Sequence, residues 1–265
     1  MLKKRLIPIL FLMNGSLVRS ELFKMHKIIG NPITQAQRYD DWDVDELIYI
    51  DITRTGGHDY LRNDLGCISS TNTNSTESII RSVSEKCFMP FTFGGGIKTI
   101  NDARKKFEAG ADKITINSAA IEDKDIITNL AAEFGSQAIV VSIDAKRIEE
   151  DKVKVFKNFG KEYTDLDPKD WARECQARGA GEILINSVDR DGTAQGYDLS
   201  LISSIVEATT IPVIACGGVG RYSDFALAIN ECGVSAVAAG NIFNFKELSY
   251  PIAKRHLKNK GLNFR

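Results

Sequence analysis

The chain has no long block of lysine and arginine, no membrane-length apolar run, and only three histidines among its 265 residues. With a formal net charge of −1, generic binding to nucleic acid or to an anionic membrane is not expected. The opening run KKRLIPILFLMNG (residues 3–15) could be read as an export signal or as a first strand, and it lacks the small-residue cleavage pattern of a signal. It is also shorter than the roughly 18 residues of a membrane span. The five cysteines, Cys67, Cys87, Cys175, Cys216 and Cys232, are odd in number and form no CxxC pair. Neither a disulfide framework nor a zinc cluster is expected, and each cysteine reads as a small buried hydrophobe in a reducing, cytoplasmic setting.

A 43% apolar chain of this length can bury a large core, as one α/β barrel or as two smaller domains. Runs rich in β-branched residues recur along it: LIYIDI from Leu47, PFTFGGG from Pro90, KITIN from Lys113, AIVVSID from Ala138, EILINSV from Glu182, PVIACGG from Pro212 and AVAAG from Ala236. Such near-continuous apolar runs suit parallel strands covered on both faces. Between most of them lie amphipathic segments closed by glycine, such as TINDARKKFEAGA and YSDFALAINECGV. Strand and helix in alternation imply a parallel sheet.

An internal repeat identifies which sheet. DELIYIDITRTGG from Asp45 aligns with GEILINSVDRDGT from Gly181 at an offset of 136, and PFTFGGGIKT from Pro90 aligns with PVIACGGVGR from Pro212 at 122. AGADKITINS from Ala109 aligns with CGVSAVAAGN at 123, and LIPILF (residues 6–11) with IVVSID (residues 139–144) at 133. Two halves, approximately 1–133 and 134–265, predict a single (β/α)8 TIM barrel over residues 1–265, and they place the opening run as its first strand. The fall in offset puts 14 surplus residues after the second strand, within 54–86, as either a cover for the site or a solvated excursion.

Glycine groups close the third and seventh strands (residues 94–96 and 217–218), where backbone N–H groups can approach an anion. With the loops after the fourth and eighth strands they form two symmetric phosphate cradles, suited to an elongated substrate with a phosphate at each end. Acid–base chemistry then belongs between them. The fifth strand ends there in Asp144, a candidate general acid or base, with helix-capping as the plain alternative. Its symmetry partner on the first strand is Phe11, which cannot transfer a proton.

The whole chain resembles the cyclase subunit of imidazole glycerol phosphate synthase, the HisF family, most specifically in FGSQAIVVSIDAKR (134–147), RGAGEILINSVDRDGT (178–193), FTFGGGI (91–97) and GADKITINSAA (110–120). The resemblance implies a heterodimer with a HisH-like glutaminase docked on the barrel's N-terminal face. Ammonia then crosses the barrel to a bisphosphorylated ribulosyl-aminoimidazole carboxamide, with no metal or redox cofactor. It assigns an ammonia gate to Arg5, Glu46, Lys113 and Glu182, for which plain barrel-bottom ion pairing is the alternative. It assigns phosphate binding to Gly95, Gly96 and Asn117 on one side, and to Asp191, Gly192, Gly217, Gly218, Gly240 and Asn241 on the other. Asp51, Asn186 and Ser187 fall on the substrate side.

The sequence departs from that pattern at the strand-one acid, which is Phe11, and in the next loop, where Asn14 and Arg19 stand. Asn186 replaces a family threonine, and the surplus after strand two is a further departure. Two other readings stay open: a paralogue that delivers ammonia to a sugar amidotransferase in surface-polysaccharide (lipopolysaccharide) biosynthesis, and a non-catalytic docking and ammonia-conducting scaffold.

Overall fold

A computed structural model describes residues 3–53, 75–149, 152–244 and 246–265. In chain order the elements begin with β1 (Arg5–Met13), β2 (Ser16–Glu21), β3 (Met25–Gly30), α1 (Pro32–Asp41), β4 (Leu47–Asp51), α2 (Thr76–Ser84), β5 (Phe91–Gly94) and α3 (Ile100–Glu108). Next come β6 (Lys113–Ile116), α4 (Ser118–Glu122), α5 (Asp125–Phe134), β7 (Ile139–Glu149), β8 (Lys152–Lys157), β9 (Glu162–Tyr163) and α6 (Pro168–Ala177). The chain finishes with β10 (Glu182–Ser187), α7 (Leu199–Ala208), β11 (Val213–Cys216), α8 (Tyr222–Cys232), β12 (Ala236–Ala239) and α9 (Ser249–Asn259). Among the described residues no helix is long and apolar enough to cross a membrane.

Parallel pairing runs β1-β4-β5-β6-β7-β10-β11-β12 and back to β1, closing an eight-stranded barrel wrapped by helices, the (β/α)8 architecture. Alternation along each strand explains its two cores. On β1, Leu6 and Leu10 face the helices, while Ile7 and Ile9 face the axis, where they meet Ile48, Val140, Leu184, Ile214, Ala236 and Ala238. Local chemistry sets the helix starts. Asn31 caps α1 through Ile33 N at 2.9 Å with Pro32 following, and Thr99 and Asp102 form a reciprocal capping box on α3.

The first strand of each half runs past its expected end. β1 continues to Met13, turns at Asn14–Gly15 with both residues in the left-handed region (φ 53° and 75°), and returns as β2 and β3. β7 passes Asp144 to Glu149 and pairs with β8, which pairs with β9. Two β-ribbons therefore stand on the C-terminal face, one per half. Of the surplus after strand two, residues 54–74 lie outside the described residues; from Ser75 onward it forms the cap and body of α2.

Candidate active site

At the N-terminal end of the barrel, four side chains from four strands or strand edges meet in a ring of alternating charge. Arg5 Nη1 lies 2.7 Å from Glu46 Oε2, and Arg5 Nη2 lies 3.0 Å from Glu182 Oε2. Lys113 Nζ closes the ring at 3.1 Å to Glu46 and 2.8 Å to Glu182. Thr92 Oγ1 donates to Glu46 Oε1 at 3.1 Å. Burial alone would push Glu46 up, but Arg5 and Lys113 outweigh it and hold this carboxyl below its ordinary value. Arg5 is likewise held above its ordinary value, burial being outweighed by Glu46 and Glu182. The backbone beside the ring is pinned by α9. The Tyr250 hydroxyl accepts from Asp45 N and donates to Leu6 O, both at 2.9 Å, while Asp45 Oδ2 accepts from Leu6 N at 2.8 Å.

At the opposite end, two cavities open side by side. One, of about 490 Å³, holds Asp191, Gly192, Gly217, Gly218, Gly240 and Asn241, the whole second phosphate group read from the sequence. The other, of about 560 Å³, holds Gly95, Gly96, Asn117, Asp51, Asn186 and Asp144. Ser187 is buried but lines neither cavity, since it follows Asn186 and alternation turns it to the outer face of β10. The β2–β3 ribbon serves both cavities: Arg19 and Glu21 of β2 line the smaller one, and Ser20 with its register partner His26 lines the larger.

Two cradle glycines have no tolerable substitute. Gly95 has φ +100°, and a Cβ there would meet Asp51 O at 2.1 Å; at Gly218, φ +103°, it would meet Gly196 O at 2.3 Å. Each cradle also has cations that the sequence reading missed, namely Arg221 and Lys246 at the smaller cavity and Lys98 and Lys161 at the larger. Lys98 and Arg221 could have been found, because each follows its glycine group by a few residues. Nothing in the sequence marks Lys161 or His26, which sit on or beside ribbons rather than strand ends.

Asp144 accepts from Asn117 Nδ2 at 3.0 Å and from Asn186 Nδ2 at 3.3 Å. Burial pushes its carboxyl up to about 7, with Asn186 opposing and Asp191 adding to the rise. Asp191 is itself pushed up to about 6 by burial, against the Ser20 hydroxyl that donates to it at 3.3 Å. A carboxyl balanced near neutrality can both give and take a proton. Phe11 lies in line with the inward residues of β1 and, with Ile9 and Cys216, lines both cavities, so the two join at its ring. The Cys216 thiol is pushed far up by burial, which leaves it a spacer rather than a nucleophile. Cys87, Cys175 and Cys232 are also buried, and Cys67 lies outside the described residues. Among the described residues no cluster of His, Cys, Asp or Glu could hold a metal ion.

A barrel with this ring below and two glycine-lined cavities above has relatives along its full length. Residues 5–249 match the family described as histidine biosynthesis protein, and the chain belongs to that family. It is 42% identical to imidazole glycerol phosphate synthase subunit HisF of Hydrogenobaculum sp. over 265 residues, with both chains covered completely. The subunit of the same name from Alkaliphilus metalliredigens is 39% identical, again over 100% of both chains. That from Endomicrobium trichonymphae is 42% identical over 96% of its own length.

Proposed function

We propose that the chain is a HisF-type subunit of an imidazole glycerol phosphate synthase, a cytoplasmic heterodimer with a HisH-like glutaminase. Ammonia released by the glutaminase enters through the ring of Arg5, Glu46, Lys113 and Glu182 and reaches the mouth along the barrel axis. A bisphosphorylated ribulosyl-aminoimidazole carboxamide lies across the mouth with one phosphate in each cavity, and Asp144 moves protons between them. The observation that carries this reading is the pair of adjoining cavities, each with a glycine group and its own cations, the larger one also holding a carboxyl, Asp144, with a pKa of about 7. Cations and backbone N–H groups around each cavity hold the substrate for attack.

Purified chain, this substrate and an ammonium salt provide the test. Turnover in the ordinary enzyme range, on the order of 1–10³ per second, supports the cyclase reading. Phe11 favours a second reading, because the resemblance puts an acid there and the cavities instead meet at an aromatic ring. In that reading the chain is a paralogue that passes ammonia to a sugar amidotransferase of surface-polysaccharide synthesis, or in the extreme a non-catalytic conduit. Absence of turnover with ammonium, together with intact ammonia transfer from the glutaminase, selects it.

A further inference from the structure

Proton transfer at the mouth needs a second group beside Asp144, and Phe11 is not one. The walls of the larger cavity limit the choice. Lys98 and Lys161 are exposed ammonium groups, and Glu122 and Glu162 face Lys157 at 3.4 and 3.8 Å. Asp51 pairs in register with outward-facing Leu12, and its Oδ1 accepts from Thr53 N at 2.9 Å. Imidazole is the side chain whose ordinary pKa, about 6.5, suits proton exchange near neutrality. His26 is the only histidine among the described residues that lines either cavity.

Its placement follows from the ribbon. β2 and β3 continue directly from β1, and His26 stands opposite Ser20 in their register, half-buried on the ribbon face that lines the larger cavity. The ribbon reaches across the mouth, where Leu22 N donates to Asp191 O at 3.0 Å and Ser20 Oγ donates to Asp191 Oδ2 at 3.3 Å, so His26, opposite Ser20, lines the same cavity as Asp144. A cavity of about 560 Å³ is the size of a small-molecule site, so both groups face one bound molecule.

We propose that His26 is the second proton-transferring group of this site, standing in for the acid that β1 lacks. The assignment rests on the ammonia-using reading above. As ammonia adds to the carbonyl carbon of a keto-sugar phosphate, a C–N bond forms and the carbonyl π pair moves to oxygen. The imidazole takes an N–H proton, and protonated Asp144 gives its proton to that oxygen. In the dehydration that follows, the imidazolium protonates the hydroxyl, the C–O bond breaks, and the Asp144 carboxylate takes the second N–H proton. The sum is carbonyl plus ammonia to imine plus water, with both side chains returned to their starting forms and no oxidant or reductant used.

The test uses the full chain with the bisphosphorylated substrate and ammonium. His26→Gln lowers kcat by about 10²–10⁴-fold with KM little changed, and adding Phe11→Asp to it recovers part of the loss. An unchanged kcat, or a loss wholly in KM, overturns the assignment. A wild-type chain that turns over nothing removes the cyclase reading instead, and NMR titration then tests whether His26 faces Asp144. Asp144→Asn moves the His26 midpoint down by about half a pH unit or more, through loss of a facing negative charge; an unmoved midpoint overturns the proposal.

Discussion

Asp144 is held by two amides and lies near a second carboxyl, Asp191, and this sets its cost to the fold as well as its use. A carboxyl whose folded pKa is raised binds its proton more tightly when folded, so its contribution is full below the unfolded value and is lost as pH rises through about 7. Asp144→Asn therefore raises Tm at pH 8, the gain shrinking to nothing near pH 4, while ammonium-driven turnover falls; a thermal melt series across pH checks this. Glu46 has the opposite sign. Its folded pKa is depressed, so its contribution is present above about 4.3, the ordinary glutamate value, and is lost as pH falls through the folded value. Glu46→Gln leaves Arg5 and Lys113 short of a counter-charge and costs about 3–5 kcal/mol in urea unfolding at pH 7, a difference that closes on acidification.

At the scale of elements, the barrel strands were legible because continuous apolar runs such as AIVVSID and EILINSV can only be buried on both faces. The place of the glycine groups at strand ends was legible because their symmetric spacing needs no side-chain geometry. The ribbons were not. Ile29 is 37% and Met25 53% exposed, so β3 alternates without a clear apolar face, and β9 is two residues long. Ser187 misled for a related reason, since a one-residue step along a strand reverses the face. The cradle geometry makes its own prediction. Gly95→Ala forces a left-handed φ on alanine and drives its Cβ against Asp51 O, so it destabilises by about 1–3 kcal/mol and weakens binding of a singly phosphorylated ligand to the larger cavity. Denaturant melts and calorimetry check the two effects; the glycines of the smaller cavity lie on other loops, and binding there is unaffected.

For the whole molecule, the offset repeat carried the architecture, and the barrel's two ends carry different groups. The ring sits at the strand N-termini and the cavities at the C-termini. Beside the ring end, the loop between α2 and β5 presents Phe88 at 92% exposure, with its N–H donated to Asp40 Oδ1 at 2.7 Å. A fixed, exposed aromatic on the face where a glutaminase is proposed to dock is the kind of anchor that dominates interfaces. Phe88→Ala weakens assembly with the glutaminase by about 30-fold or more, equivalent to the roughly 2 kcal/mol of a hot spot, and leaves ammonium-driven turnover unchanged. Titration of the two subunits checks it.

The claim on which all of this depends is that the two cavities, joined at Phe11, hold one elongated ligand with a phosphate at each end. Calorimetric titration of the full chain with the bisphosphorylated ribulosyl-aminoimidazole carboxamide tests it directly. One ligand binds per chain, with affinity falling about 100-fold or more when either phosphate is removed, as for any two-point attachment. Two ligands per chain, or an affinity indifferent to the loss of one phosphate, would contradict it.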